Sequence, residues 1–401
     1  MTPPLQGIRI VDLSTVFSGP MCAALLADQG AEVIKVESPE GDTTRNIGPA
    51  KGDLAASFIA ANRGKRNLAL DLKSPDAKAV LHALLARADE LIENYRPGVM
   101  DRLGLADADL AARFPRLIRV SITGFGADGP RAQDKAYDAV IQAIGGLAAS
   151  QRDPATGAPV ILASTVSDKV TALTAAQAVT AALFARDRQG GDGLGRRVEV
   201  AMLDATVAFQ WPDAMYNHVW VHDAPPPFPE FGATQRPWRT ADGYVATMVP
   251  QQAEFLGMCT ALGHPEIMDD PRFATLPARY RHGKALRATL EPLMAQFDNA
   301  TLEAAFRAHG AALGRVNERP ALLADAQVVH NGCAVLVANG DGDQVRVARS
   351  AARFDGQVQA PTRGAARLGE HSTEVLQELG FDAERITALV ASGTVRLPKQ
   401  R

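Results

Sequence analysis

The first 130 residues alternate between short β-branched runs and segments with helical periodicity, and this alternation constrains the fold more than any other feature of the chain. The pattern predicts buried strands at 8–13, 31–36, 67–72, 90–94 and 117–123. Helices are predicted at 21–29 and 74–88. Ser74 is the expected N-cap of the second helix and Pro75 its first residue. Because alternating strands and helices form a parallel sheet covered on both faces, we expect a doubly wound α/β fold.

The rest of the chain divides at a proline-rich stretch. A long alanine-rich helix is predicted at 168–186, a strand at 196–201 and a further helix at 202–219. Residues 224–230 contain a run of prolines that disfavours helix, so we expect a domain boundary there. The predicted domains are a large one at 1–224, a smaller α+β one at 225–330, and a C-terminal segment at 331–401 that returns to the large domain.

Composition and charge exclude several classes of protein. With 401 residues, 46% of them hydrophobic and 22% charged, the chain can bury a large core. Its net charge of −3 gives no global basic field for nucleic acid. The three cysteines form no paired pattern, which favours a reducing compartment. Since no secretion signal is apparent and the most apolar stretch, 172–185, is too short and polar to span a bilayer, we expect a cytoplasmic protein that binds no membrane.

Three motifs could carry chemistry, but each also has an ordinary structural explanation. The loop at 12–20 follows the first strand, where parallel sheets bind ligands, yet it lacks the G-x-G-x-x-G pattern of nicotinamide-dependent oxidoreductases. Asp168 lies at the predicted start of the long helix, where an aspartate can cap the helix or act as a covalent nucleophile. Basic residues around the third strand suit phosphate groups, although surface charge explains them as well: Arg63, Lys65, Arg66, Lys73 and Lys78.

The eight histidines show no metal-binding pattern. His218 and His222 are four residues apart, but no HExxH motif and no acidic partner accompany them. We therefore expect no metal site in this chain.

The order of several longer segments is more specific than any single motif. The chain opens with GIRIVDLSTVFSGPMCAALLADQGAEVIKVESPEGDTTR and continues through NRGKRNLALDLKSP, ENYRPGVMDRLGL, AYDAVIQAIGGL and SDKVTALTAAQAVTAALFARDRQGGDGLGRRVEVAMLDA. Its tail contains LGEHSTEVLQELGF. In this order the segments closely resemble the family III CoA-transferases. The resemblance is strong over 5–210, moderate over 360–382 and thin over 225–355.

The resemblance implies a fold, an assembly and a reaction. Members of this family are interlocked homodimers with a large Rossmann-like domain, closed by the C-terminal segment, and a smaller domain. They move CoA from an acyl-CoA thioester to a free carboxylic acid without a metal or prosthetic group. Asp168 falls at the position of the family's nucleophile. It would attack the donor thioester to form a mixed anhydride, and then carry CoA as an aspartyl thioester until the acceptor carboxylate attacks.

The resemblance also implies where CoA binds. Residues of the first loop would meet CoA, while residues after the third and fourth strands would lie along its adenosine and phosphates. Residues before the next helix would line the pantetheine path. The implied contacts, carried over by position, are Val16, Phe17, Ser18, Leu72, Lys73, Asn94, Tyr95, Arg102, Lys135 and Tyr137.

Two departures from the formyl-CoA transferases bear on the substrate. Those enzymes carry an arginine after the second strand, where this chain has Ser38. They also carry a glycine run that closes over the aspartyl intermediate, whereas residues 231–236 contain a single glycine. These differences disfavour oxalate and formate as substrates and favour a larger acceptor acid, with a lid that works differently or is absent.

Two alternative functions remain open. A 2-methylacyl-CoA racemase of the same superfamily would carry a histidine where this chain has Tyr137, and a phenol with a pKa of about 10 is a poor substitute as a base. A non-catalytic acyl-CoA-binding protein would keep the basic residues without using Asp168 as a nucleophile.

Overall fold

The computed structural model describes residues 2–153, 155–230 and 236–399, which pack as two compact units. The first unit comprises the chain up to Gly146, the segment Ile161–Phe209 and the chain from Ala326 onward. The second unit comprises Leu147–Val160 and Gln210–Asp325. The boundary predicted at 224/225 therefore lies inside the second unit, which also includes a short segment from before the long helix.

A mostly parallel sheet forms the centre of the first unit. The strands, in chain order, are β1 (Arg9–Asp12), β2 (Glu32–Glu37), β3 (Ala50–Lys51), β4 (Leu54–Ala55), β5 (Arg66–Leu70), β6 (Glu90–Glu93), β7 (Ile118–Thr123), β8 (Arg197–Ala201), β9 (Trp238–Arg239), β10 (Tyr244–Ala246), β11 (Gly314–Arg315), β12 (Ala334–Ala338), β13 (Gln344–Ala348), β14 (Arg353–Phe354), β15 (Gln357–Val358) and β16 (Val395–Arg396). The central sheet has the order β16-β5-β2-β1-β6-β7-β8, and only β16 is antiparallel to its neighbour. The predicted α/β fold with a central parallel sheet is confirmed.

Helices connect the strands in the pattern that the sequence predicts. They are α1 (Ser18–Ala27), α2 (Ala56–Asn62), α3 (Ala77–Leu85), α4 (Val99–Arg102), α5 (Asp107–Arg113), α6 (Asp138–Ile144), α7 (Leu147–Ser150), α8 (Val166–Asp187), α9 (Met202–Ala214), α10 (Gln252–Ala261), α11 (Leu276–Arg281), α12 (Gly283–Met294), α13 (Asn299–Ala308), α14 (Arg319–Leu322), α15 (Ala326–Asn331), α16 (Ser372–Glu378) and α17 (Ala383–Ala391). Within the described ranges, none of these helices has the length and apolar character needed to cross a membrane.

Helices cover both faces of the sheet because successive strand residues point in opposite directions. Ile10 packs against α1 and α8, whereas its neighbour Val11 packs on the other face with α3, α16 and α17. Helix α8 turns a row of small side chains inward: Ala172, Ala175, Ala176, Val179 and Ala182. These side chains allow α8 to lie close to α1, and this packing positions the first turn of α8.

The predicted strands of the large sheet are all present, but several helix ends differ from the prediction. Helix α3 begins at Ala77 rather than after Ser74, because the Ser74 hydroxyl bonds to Oγ1 of Thr394 at 2.6 Å instead of capping the helix. Helix α8 spans Val166–Asp187, within two residues of the predicted 168–186 at both ends. The helix predicted to reach residue 219 ends at Ala214 and is followed by a short 3₁₀ turn.

A buried lysine anchors the loop that follows β1. Nζ of Lys65 donates to Oδ2 of Asp12 at 2.8 Å, to the carbonyl oxygen of Pro20 at 2.7 Å and to Oδ1 of Asn62 at 2.8 Å. Lys65 and Asp12 are both almost completely buried. Burial alone would raise the pKa of Asp12, but the charges of Lys65 and Lys35 outweigh it and hold the pKa below its usual value.

A second buried lysine extends this arrangement to β2. Lys35 lies beside Asp12 in the β1–β2 register and donates to the carbonyl oxygen of Ser14 at 2.7 Å. Its ammonium group also lies 3.4 Å from the carboxylate of Asp42. Asp42 in turn accepts the backbone N–H of Val16 at 3.1 Å. The start and the middle of the loop are therefore held by buried charges from other segments.

The C-terminal chain attaches to the same part of the sheet. Strand β16 pairs with β5, and Oδ1 of Asn67 accepts the backbone N–H of Gly369 at 2.6 Å. The amide group of Asn67 also donates to Glu37, which receives two further hydrogen bonds from Arg45, at 2.7 and 2.8 Å. The final segment is thus part of the first unit's polar core.

The second unit has a separate apolar core. A three-stranded antiparallel sheet with the order β11-β10-β9 packs with α10, α12 and α13. Its buried centre includes Phe255, Met258, Leu290, Leu302 and Phe306. This mixture of antiparallel strands and helices agrees with the α+β character that the sequence predicts for this part of the chain.

We expect Lys65→Met to lower the free energy of unfolding by about 3–5 kcal/mol, because it leaves the carboxylate of Asp12 buried without its closest cation. Urea unfolding followed by far-UV circular dichroism would measure the loss. Lys51→Met is the matched control, because Lys51 pairs with Asp343 at 2.7 Å but is largely exposed. It should leave the unfolding curve unchanged. Equal effects of the two substitutions would contradict the anchoring role of Lys65.

Candidate active site

The residues that the sequence assigns to CoA binding lie along one edge of the sheet. Val16, Phe17 and Ser18 follow β1, Leu72 and Lys73 follow β5, Asn94, Tyr95 and Arg102 follow β6, and Lys135 and Tyr137 follow β7. These four strands and β2 are parallel neighbours, so their carboxyl ends form a single edge. Open α/β sheets bind their ligands at this edge. The fold therefore brings the predicted contacts to the same side of the first unit.

Asp168 lies in the first turn of α8 and is 8% exposed. Thr165 precedes the helix without a side-chain cap, and Asp168 is the acidic residue of the first turn, where the helix dipole favours a carboxylate. The backbone N–H of Ser18, at the N-terminus of α1, lies near enough to the Asp168 carboxylate to oppose the rise of its pKa. The backbone N–H of Asp168 donates to Oδ1 of Asp138 at 3.2 Å. Asp168 therefore lies beside the loop after β1 and is hydrogen-bonded to Asp138, the residue that follows Tyr137.

Burial raises the pKa of Asp168 to about 7, and the nearby charge of Asp138 contributes to the rise. The charge of Lys169 and the N–H of Ser18 oppose this effect without reversing it. Near neutral pH the carboxylate is therefore present but poorly stabilised by solvent. Such a shifted group beside helix dipoles is typical of a reactive carboxylate.

The N-terminus of α1 supplies hydrogen-bond donors beside Asp168. No side chain caps this helix, so the first-turn N–H groups, including that of Ser18, are free of intrahelical partners. The positive end of the helix dipole favours negative charge at this point. A Cβ atom on Gly19 would overlap the side chain of Ser14, so a glycine is required for the helix to start this close to the loop.

The loop holds Val16 in an unusual backbone conformation. Its φ is 68°, in the left-handed region that β-branched residues rarely adopt. The hydrogen bond from its N–H to Asp42 fixes this conformation. Strain of this kind persists only where surrounding contacts impose it, and it is frequent in ligand-binding loops.

Asn94 acts on the loop rather than presenting a free amide. Its Oδ1 accepts the backbone N–H of Thr15 at 2.8 Å, and its Nδ2 donates to the Thr15 carbonyl oxygen at 2.7 Å. Tyr95, the next residue, lines a cavity of about 260 Å³ together with Arg96, Arg119 and Arg197. This polar cavity lies at the carboxyl ends of β6 and β7.

Sequence reasoning missed Asp138 and Gln142. Nε2 of Gln142 donates to Asp138 at 2.6 Å and to the carbonyl oxygen of Ser164 at 3.2 Å. Its Oε1 accepts the backbone N–H of Leu162 at 3.0 Å. The pair therefore fixes the chain that leads into α8. The only signal in the sequence is that Asp138 directly follows Tyr137.

The basic residues separate into two groups. Arg63 pairs with Asp28 at 2.5 Å, Lys65 with Asp12, and Arg66 with Glu32, Glu374 and Glu378, so these three are structural. In contrast, Lys73, Arg102 and Lys135 are exposed and form no ion pair with any residue in the described ranges. Exposed cations without partners are the ones available to phosphate groups.

The structure gives information on one of the two departures from the formyl-CoA transferases, the one at Ser38. Beside Ser38, the guanidinium of Arg396 on β16 donates to the carbonyl oxygen of Pro39 and so brings a cation to this position. The predicted lid at 231–236 lies outside the described residues except for Arg236.

Among the residues that the structure describes, no three His, Cys, Asp or Glu side chains form a group that could hold a metal.

Comparisons with known proteins identify the family of this chain. The model of CoA-transferase family III matches residues 5–372. A relative from Agrobacterium fabrum, named succinate–glutarate CoA-transferase, is 34% identical over 390 residues, covering 94% of this chain and 96% of the relative. The mouse succinyl-CoA:glutarate CoA-transferase is 31% identical over 397 residues, covering 98% of this chain and 90% of the relative.

A solved structure shares the fold over almost its whole length. The crystal structure of a CaiB/BaiF family protein from Brucella suis superposes with a TM-score of 0.81 and 32% identity, covering 94% of this chain and all of the other. The fold and the sequence comparisons therefore lead to one assignment: the chain is an enzyme of CoA-transferase family III.

Proposed function

We propose that this enzyme transfers CoA between carboxylic acids through a covalent intermediate on Asp168. The observation that carries the proposal is the buried Asp168 carboxylate, whose pKa is raised to about 7 and which faces the N-terminus of α1 at the ligand-binding edge of the sheet. A carboxylate in this position is poised as a nucleophile, because solvent stabilises its charge poorly while N–H donors lie beside it.

The reaction proceeds by exchange of acyl bonds. The Asp168 carboxylate attacks the thioester carbonyl carbon of the donor, the C–S bond breaks, and a mixed anhydride and CoA thiolate form. The thiolate then attacks the Asp168 carbonyl carbon, which releases the donor acid and leaves an aspartyl-CoA thioester. The acceptor carboxylate repeats the two steps in reverse order and leaves as its CoA ester. Since every step exchanges one activated acyl bond for another, the energy of the thioester is conserved if water is excluded.

The N-terminus of α1 would stabilise the charge that develops on oxygen during these attacks. The N–H of Ser18 faces Asp168, and the Lys65 and Lys35 bonds to Pro20 and Ser14 hold this part of the chain in place. Donors that are positioned before the reaction stabilise an oxyanion without reorganisation.

CoA would bind along the carboxyl edge of the sheet. The unpaired cations Lys73, Arg102 and Lys135 suit its phosphate groups, and we propose that Arg396 supplies the charge that the formyl-CoA transferases obtain from an arginine at the position of Ser38. Val16 and Phe17 would form a wall of this site, and Asn94 would act by holding the loop.

Short dicarboxylic acids are the proposed substrates. The relatives from Agrobacterium fabrum and mouse are both named for succinate and glutarate, and each covers most of this chain. We therefore propose succinyl-CoA as a donor and a diacid of glutarate size as an acceptor. This choice agrees with the expectation of an acceptor larger than oxalate.

We also propose that the enzyme is a homodimer, as expected for an interlocked family member. Helix α8 leaves Leu173 and Phe184 exposed at 59% and 69%, although its other face is buried in the first unit. Apolar side chains of this size on the surface of a long helix favour contact with a second copy of the chain.

Incubation with succinyl-CoA followed by acid quenching should give a covalent adduct on Asp168, detected by mass spectrometry of its peptide. Asp168→Ala should abolish both the adduct and CoA exchange while CoA binding is retained. Asp109→Ala is the matched control, since Asp109 is also the third residue of a helix but is exposed. Exchange at the normal rate in Asp168→Ala would exclude the covalent mechanism, and deuterium uptake at the α-carbon of a branched ester would indicate the racemase instead.

The rate of adduct formation should depend on the ionisation of Asp168. Because the carboxylate is the reactive form, the rate in single-turnover experiments should decline about tenfold per pH unit below pH 7 and level off above it. Asp138→Asn should shift this break to lower pH, since it removes a like charge that raises the Asp168 pKa. The control Asp109→Asn should leave the break at the same pH. If Asp138→Asn also leaves the break unchanged, the charge of Asp138 does not raise the pKa of Asp168.

Arg102→Ala should raise the KM for CoA esters by about tenfold with a smaller effect on kcat, because it removes a charge-assisted contact to phosphate. Steady-state kinetics with succinyl-CoA and glutarate would separate the two constants. Arg113→Ala serves as the control, as this exposed arginine ends the following helix. A loss in kcat alone would argue against a phosphate contact at Arg102.

A further inference from the structure

A large cavity lies within the second unit. Its volume is about 850 Å³, and all of its lining residues belong to that unit. Asp168 and the predicted CoA contacts belong to the first unit, so the cavity is formed by different residues from those assigned to CoA transfer. Its size lies in the range of sites for small organic ligands.

A buried arginine lines this cavity without a counter-ion. Arg279 is 5% exposed, and its guanidinium donates to Oε1 of Gln252 at 2.9 Å and to the carbonyl oxygens of Phe273 and Pro250 at 3.2 and 3.3 Å. No carboxylate among the described residues pairs with it. A buried charge is costly unless it is paired, so this guanidinium is a strong candidate to hold an anion.

The other charged residues of the cavity are almost all basic. Around Arg279 the lining contains Arg152, Arg236, Arg281, Lys284 and Arg287. The one carboxylate in the lining is that of Asp153, and its Oδ1 already accepts hydrogen bonds from the backbone and side chain of Thr156. Arg287 pairs with Glu291 at 3.1 Å, but the remaining cations still outnumber the carboxylates and leave the cavity with an excess of positive charge.

The remaining surface of the cavity is apolar. Its lining includes Trp238, Phe255, Met258, Leu276, Leu286 and Leu290. Two of the arginines lie over aromatic rings, with Arg279 4.3 Å from the centroid of Phe255 and Arg287 4.5 Å from that of Trp238. A ligand for this surface needs both an anionic group and an apolar body.

We propose that the cavity of the second unit binds an amphipathic carboxylic acid, with the carboxylate on Arg279 and the hydrocarbon body against the apolar lining. The planar guanidinium forms paired hydrogen bonds with a carboxylate, and several cations nearby add attraction at longer range. Succinate and glutarate match the charge but offer little apolar surface, so an aliphatic acid of medium length or an aromatic acid fits better. The binding does not depend on the transfer reaction.

The fluorescence of Trp238, which lines the cavity, provides a direct measurement of ligand binding. The three tryptophans all lie in the second unit, and Trp211→Phe and Trp220→Phe leave Trp238 as the single reporter. Titration with octanoate and octanedioate should give a saturable change, whereas octan-1-ol, which lacks the charge, should bind at least about tenfold more weakly. No CoA compound is present in these titrations, so their outcome is independent of whether Asp168 acts as a nucleophile.

Arginine variants test the role of the charge. Arg279→Gln should weaken octanoate binding by about tenfold or more, and Arg279→Lys should recover part of the affinity. Because Arg279 also bonds to backbone carbonyl groups, Arg281→Gln provides a second test at an exposed residue of the lining. Arg272→Gln is the control, since Arg272 pairs with Asp270 and does not line the cavity.

The same compounds distinguish two roles of the bound acid, as an acceptor substrate of the transfer reaction or as a separate ligand of the second unit. Conversion of octanoate to its CoA ester in the presence of succinyl-CoA would identify the bound acid as an acceptor substrate. Binding without conversion would identify a separate ligand of the second unit, and either result supports the site. The proposal would be overturned if no acid gave a saturable signal, or if Arg279→Gln and Arg281→Gln bound octanoate as tightly as Arg272→Gln.

Discussion

Buried ion pairs beneath the loop after β1 determine the geometry on which the rest of the site depends. Lys65 binds Asp12 and Lys35 lies beside Asp42, and each lysine also donates to a backbone carbonyl of this segment, Lys65 to Pro20 and Lys35 to Ser14. Buried charges of this kind contribute little net stability, because desolvation opposes their attraction. Their effect here is conformational: they hold Val16 in a strained conformation and set the start of α1.

The reactivity of Asp168 follows from helix packing. The small side chains of α8 allow it to approach α1, and this approach buries the carboxylate near the N–H of Ser18 and the charge of Asp138. Burial and a like charge raise the pKa, while the helix N-terminus keeps the ionised form accessible. Asp109, at the same position in α5, is exposed to solvent and lacks this burial.

Charge pairing separates structural cations from those available to ligands. Arg63, Lys65 and Arg66 meet carboxylates of the chain itself and so contribute to the fold. Arg279 in the second unit is the opposite case, because it is buried like Arg63 and Lys65 but has no carboxylate partner within the described ranges. The difference between the two situations cannot be recognised from residue type, since it depends on which acids the fold brings near.

The sequence by itself determined the parallel α/β sheet, the position of Asp168 near the start of the long helix, and the residues that follow the strand ends, because these depend on local periodicity and on ordered motifs. It did not determine that Ser74 bonds to Thr394 instead of capping α3, that Asp138 and Gln142 support α8, or that Arg396 reaches the segment beside Ser38. It also could not show which of the clustered cations are paired. Those features join residues far apart in the chain, and only the tertiary structure, through packing and burial, decides which distant polar groups meet.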